Sequence, residues 1–497
     1  MRERITFLYP EGGAVDPKSL TLGDTALQGP TIEAIREDKF TLTLQELPSE
    51  VAKALEGIDE LHLRWTGPWS QPALEPFSSR LSPGLHLSYT PSAGAGPDPF
   101  AFGPLDCASP EFFTDLREGR HGDTAAFYFY QEVEDLQSFA RKASDLICAA
   151  ADDTTCQERA EGLGSAAGLD ASYESAAGTV KVGASWPLRR RDISAAASPH
   201  RRTEVGILGR DAPPGIKAHE VGISGLLTVV GDSKEPSVTL FSFPSRHRLA
   251  QGSFSADFLA PTGLHPAMRL SVSSTRPGDE AGACKLYAYL TLPKVMFADR
   301  YQLADELFLA SKNLSAAPYV SRPVDLEAPA YATKAWGSNV LVELLARPEP
   351  AGEHEAARTA EMPLHLRYLK PSQTGMADAE IPYPVVFWAC EPAAADVDLG
   401  NNPFDRLHLG YDGLFSRDTV FWHVAPRPET GDRLLNRVAI PVLADQASQW
   451  IGVGTAAVVG LGFIWVLMRL AGASGRGRER GSVDAKPEQG RKQKKQK

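Results

Sequence analysis

The sequence predicts a mainly β protein. A lumenal, antiparallel β-sandwich-like domain follows a mixed α/β N-terminal region and precedes one C-terminal transmembrane helix. Three observations carry this reading. Residues 204–445 break into short runs that alternate apolar and polar side chains between Pro- and Gly-rich turns. Residues 450–468 form an uncharged, apolar run of helical length. Charged residues make up 23% and hydrophobic ones 43% of the 497 positions, as in ordinary folded chains. The expected organisation is an α/β region over 1–149, a low-complexity linker over 150–203, a β-rich domain over 204–445, a span over 446–470 and a basic tail over 471–497.

In chain order, Ile5–Tyr9 and Phe40–Leu44 read as strands, and Ser49 as the cap of a short helix through Leu55. Residues 131–149 place Val133, Leu136, Phe139, Ala140, Ala143 and Leu146 at helical spacing. The stretch 150–203 is rich in Ala, Gly, Ser and Asp without periodicity, which predicts a linker or loosely ordered insertion. Beyond it, strands are expected at Met268–Ser273, Cys284–Leu292, Val340–Leu345, Leu364–Leu369, Val385–Ala389 and Val420–Val424. The run from Pro384 to Cys390 is apolar on both faces, as a central strand would be. A pentapeptide pattern recurs as LHLRW (61–65), LHLSY (85–89), LHLRY (364–368) and LHLGY (407–411). Alternation sets His62, His86, His365 and His408 opposite the apolar face. Their irregular separation and the lack of a recurrent carboxylate favour outward-facing polar residues over a metal site.

The apolar run ends at Arg469, and Trp450 and Trp465 lie near its two ends, where indole rings favour the bilayer interface. After Met468 the chain carries ten Lys/Arg and three Asp/Glu, whereas the part before Trp450 carries 41 basic and 59 acidic residues, a net of −18. A body that acidic excludes ordinary nucleic-acid binding. The positive-inside rule puts the tail in the cytosol and the body in the lumen. The competing topology, a tail anchor with a cytosolic body, requires the strongly basic segment to cross. The opening MRERITFLYPEGG shows no apolar signal-peptide core, which sits awkwardly with translocation. Asn313-Leu314-Ser315 is a glycosylation acceptor, and Lys494 and Lys495 stand where a dilysine endoplasmic-reticulum retrieval signal would. Gly452, Ala456 and Gly460 form a small-residue stripe through which a partner helix could pack.

Five cysteines without a CxxC spacing exclude a disulfide scaffold and a zinc knuckle. Cys284 and Cys390, in the two most strand-like segments, are the preferred disulfide; Cys148 with Cys156 is the local alternative, and free thiols a third reading. There is no GxSxG, Walker A, HExxH or GxGxxG. The DxD of Asp396 and Asp398 supplies only two carboxylates in a loop, fewer than a hard cation needs. No catalytic residue or cofactor is expected.

MRERITF at the start, CKLYAYLTLP followed by FADRYQL (297–303), EMPLHLRYL (361–369), IPYPVVFWAC (381–390) and NPFDRLHLGYDGLF (402–415), ahead of one C-terminal span, resemble the PIG-X family. The resemblance is greatest to its fungal branch, which is linked to vacuolar protease B processing. It implies a non-catalytic, stabilising subunit of glycosylphosphatidylinositol (GPI) mannosyltransferase I in the endoplasmic reticulum membrane. The implied partner is a multi-pass catalytic subunit of the PIG-M type, which adds the first mannose of the anchor on the lumenal side. It also implies contact with membrane lipid and a chaperone-like role in maturation of secretory and vacuolar proteins. The alternative is a membrane-anchored lumenal glycan-processing or glycosyltransferase enzyme using Asp396 and Asp398.

Overall fold

A computed structural model describes residues 1–92, 114–115, 127–147, 154–197, 201–217, 219–260, 263–321, 325–345, 358–391, 399 and 402–476. The chain divides into two units, Met1–Leu369 with Asp378–Ile440, and Lys370–Ala377 with Pro441–Lys497. The first holds two large sheets and is mainly strand, as expected.

The larger sheet has twelve strands. Its middle is the long hairpin-like pair Ala26–Thr43 and Thr179–Ala196, both 18 residues. Arg2–Tyr9 lies beside Ala26–Thr43 and pairs in parallel with Arg202–Asp211. Glu220–Val229 and Ser237–Pro244 continue one edge. Gly168–Glu174, Ile58–Thr66, Gly84–Pro91 and Phe127–Gln131 extend the other. The second sheet has eight strands, with Ala283–Pro293, Val385–Glu391 and Val420–Pro426 at its centre. His247–Phe258 joins Val420–Pro426 in parallel. Each sheet is therefore mixed, with one parallel pair in an otherwise antiparallel ladder; those partners are separated by long stretches of chain, as parallel pairing requires.

Several local expectations hold. Val385–Glu391 is buried along six of its seven residues, which explains its unbroken apolar run. A short helix forms at Ser49–Ala54, but Pro48 holds the cap position and Ser49 is its first helical residue. Others are corrected. The second helix runs only over Gln137–Ile147, because Phe127–Gln131 is a strand of the large sheet and Asp135 accepts the Gln137 amide at the turn. Phe139, one of the apolar residues at helical spacing, is 44% exposed. Of Leu364–Leu369, only His365–Leu366 is strand, paired with Met296–Phe297.

The described part of 150–203 is not a linker: Thr154–Gly162 is a helix whose Arg159 pairs with the buried Glu3 of the large sheet. Gly168–Glu174 and Thr179–Ala196 lie inside the large sheet. Pro187 hid the strand from a periodicity reading. It falls where the register with Ala26–Thr43 shifts between Ala34 and Arg36, a bulge that spares the amide proline lacks. Arg191 reinforces the bulge by donating to the carbonyls of Ala34 and Pro187.

Cys284 and Cys390 are directly opposed in neighbouring antiparallel strands and joined by a disulfide. Cys107 and Cys148 lie outside the described residues, as does the Cys156 side chain.

In the second unit, Ser372 donates its amide to Leu443 (3.0 Å) and accepts from Asp445 (3.0 Å), the first residue of the helix Asp445–Arg476. That helix is long and apolar enough to cross a membrane.

Candidate functional site

The segment 402–415, read partly as a strand (LHLGY), is instead a strap without strand structure that touches both sheets of the first unit. Its side chains explain the path. Phe404 packs edge-on against Phe77 and tilted against Phe243, each with centroids 5.7 Å apart, in a core shared with Leu8 and Ile35 of the large sheet. Arg406 donates to Glu37 (3.3 Å). Leu409 and Tyr411 enter the core of the second sheet beside Tyr289, Phe387 and Phe421. The Tyr411 hydroxyl donates to the Arg80 carbonyl (2.9 Å).

Asp412 organises the turn. Its buried carboxylate accepts the amides of His408 (2.8 Å), Leu409 (2.8 Å) and Gly413 (3.1 Å). Arg246 lies 3.8 Å away and donates to the carbonyls of Asp412, Ser416 and Thr419. Burial pushes the Asp412 carboxyl up, but Arg246, His408, His247 and Arg64 outweigh it and hold it below the usual range. Gly410 adopts φ +89°, and a Cβ there would meet the Tyr289 hydroxyl at 2.9 Å. His408 also has a positive φ (59°), with its amide fixed by Asp412 and its carbonyl accepting from Arg64 at 2.9 Å.

Between the strap and the large sheet is a cleft of about 1040 Å³. Its wall carries Arg4, Lys39, Glu60, His62, Arg64 and Asp170. Arg64 is buried and ion-paired with Asp170. Arg4 and Lys39 stand directly opposite each other across two strands, and burial lowers the pKa of both.

The four pentapeptide histidines are not a uniform outward set. His62 (5% exposed) and His86 (4%) are buried, because the strap covers the first and the Phe127–Gln131 strand encloses the second. Burial pushes His62 down to about 3 and His86 to about 4. His86 is bonded to the Tyr128 hydroxyl and to the Ser82 carbonyl. His365 pairs with His265 (2.9 Å). His408 stacks on His62 with centroids 4.3 Å apart, a pairing of residues 346 positions distant that no spacing rule could find. His247 and His423, both buried, are linked at 3.0 Å.

Among the other expected sites, Asn313 occupies a left-handed turn (φ 56°) before the strand Leu314–Val320, its amide donating to the Thr359 carbonyl at 2.8 Å. Gly452, Ala456 and Gly460 fall four residues apart on the helix Asp445–Arg476, and a Cβ at either glycine would meet nothing within 4 Å. Asp396, Asp398, Lys494 and Lys495 lie outside the described residues.

Comparison with known proteins converges on one family. Residues 261–471 match the family model PIG-X / PBN1. The chain is 48% identical over 478 residues to Protein PBN1 of Gibberella zeae and 46% identical over 481 residues to Protein pbn1 of Neurospora crassa. Each alignment covers 95% of both chains. Protein PBN1 of Yarrowia lipolytica is 32% identical over 259 residues, 49% of either chain. The chain belongs to the PIG-X/PBN1 family.

Proposed function

We propose that this chain is a non-catalytic, stabilising subunit of GPI mannosyltransferase I in the endoplasmic reticulum membrane. It is held there by the helix Asp445–Arg476, with the β body lumenal and the basic tail cytosolic. Its partner is the multi-pass catalytic subunit of the PIG-M type, and its task is to keep that subunit folded for addition of the first mannose to the anchor precursor. Family membership over nearly the whole length carries the reading.

Three further features support it. The cross-strand Cys284–Cys390 disulfide suits an oxidising compartment. The charge asymmetry about the span favours a cytosolic tail. Several carboxylates at the cleft are engaged in holding structure: Asp170 pairs with Arg64, Glu37 with Arg406, and Asp412 caps the strap. That is the chemistry of a scaffold. In this reading Gly452, Ala456 and Gly460 line the face that meets a partner helix, Asn313 carries a lumenal glycan, and Lys494 and Lys495 serve retrieval. A binder of the folded partner stabilises it by mass action, which accounts for a subunit without chemistry of its own.

Protease treatment of sealed microsomes tests the topology. A protected fragment spanning the β body, with an endoglycosidase-sensitive mass shift that Asn313→Gln removes, is expected. Digestion of the β body in intact vesicles would overturn the lumenal assignment.

A further inference from the structure

His62 is 5% exposed, and neither of its ring nitrogens has a hydrogen-bond partner among the described residues. A buried imidazole left so is costly, so an unpartnered ring at a cleft points to something that binds there. The other histidine pairs differ: His247 with His423, and His265 with His365, bond ring to ring at 3.0 and 2.9 Å.

What faces His62 is suited to a metal ion. Glu60 lies two residues earlier, on the same side of the strand Ile58–Thr66. His408 of the strap stacks on the His62 ring, and its Nε2 is 3.4 Å from a Glu60 carboxylate oxygen. One donor atom from each of Glu60, His62 and His408 can be chosen so that all lie within 4.8 Å of one another. Ligand atoms about 2.0–2.2 Å from a tetrahedral ion stand roughly 3.4 Å apart, so a small closure brings the three into range. Two imidazoles and one carboxylate match the borderline divalent ions of the zinc class rather than calcium or magnesium, which prefer all-oxygen shells.

We infer that Glu60, His62 and His408 bind one zinc-class divalent cation that clips the strap onto the large sheet. In the described arrangement the two rings are within 16° of parallel, so their lone pairs do not yet converge on one point. Closure requires a turn of the His408 ring, which is 43% exposed while its backbone is fixed by Asp412 and Arg64. The nearby Arg64 cation is neutralised by Asp170, which limits its repulsion of the ion. Three protein ligands leave a position open to the cleft for water or a ligand oxygen.

The test uses the full chain purified in detergent, stripped with a chelator and desalted after incubation with zinc, then separately with cobalt(II). Wild type should retain about one ion per chain, give the visible absorption of four-coordinate cobalt, and melt at a higher temperature with zinc than without. His408→Ala and Glu60→Gln alter partly exposed side chains and should fold, yet each should lose both the ion and the zinc-dependent shift. Absence of a stoichiometric ion in wild type would overturn the site, and so would its retention in both variants.

Discussion

Replacing Asp412 with alanine isolates the residue that fastens the strap. Three amides, those of His408, Leu409 and Gly413, lose their acceptor, and Arg246 loses its nearest carboxylate. An unsatisfied buried donor costs about 1–3 kcal/mol. The low end applies here because the cleft admits water to the strap, and because Arg246 keeps three carbonyl acceptors. The three amides together then cost about 3 kcal/mol and the orphaned Arg246 about 1 kcal/mol more. If the strap opens as a local unit, about 4 kcal/mol raises its opening equilibrium roughly a thousandfold. Hydrogen exchange read by mass spectrometry over 402–415 should show that loss of protection, while Ala283–Pro293 stays slow. Asp412→Asn, which keeps one acceptor oxygen, should fall between. Exchange within tenfold of wild type in Asp412→Ala would refute the role assigned to this carboxylate.

Other perturbations follow from the same framework. Cys390→Ser opens a link between residues 106 apart, which the chain-entropy view of cross-links values at about 4–5 kcal/mol; reductant should destabilise wild type in denaturant titrations and leave the variant unchanged. Gly410→Ala combines a disfavoured φ of +89° with a Cβ 2.9 Å from the Tyr289 hydroxyl, and should cost about 1–3 kcal/mol by the same titration. Acidification should destabilise the body. Burial holds His62 and His247 near 3 and His86 near 4, below a free imidazole, so the unfolded chain binds more protons between those values and about 6.5. Stability therefore falls as the pH drops through that window, by about 1 kcal/mol per histidine between about pH 7 and 5.5. Asp405, raised by burial to about 6, offsets part of this. A melting temperature that rises on acidification would contradict the burial of these rings.

The parts legible in the sequence were those where a single periodic signal dominates. The apolar run around Trp450–Met468 became the helix Asp445–Arg476, and the alternation from Cys284 onward became Ala283–Pro293. Local pattern failed where tertiary pairing decides. Thr179–Ala196 contains Gly183, Pro187 and three consecutive arginines, yet it is strand because neighbours on both sides supply its ladder. LHLGY reads like LHLRW, but Gly410 at positive φ and the Asp412 cap turn it into a strap. The His62–His408 contact joins opposite ends of the first unit and left no trace in spacing.

The central claim is that this chain keeps a catalytic mannosyltransferase subunit folded without doing chemistry itself. The most direct measurement is the steady-state level of that multi-pass subunit in cells depleted of the chain, followed alongside mannose transfer to the anchor precursor in their membranes. The account predicts that the subunit's half-life shortens and transfer falls with it, and that both return when the chain is restored. Loss of transfer with the catalytic subunit still at full abundance and correctly folded would contradict it.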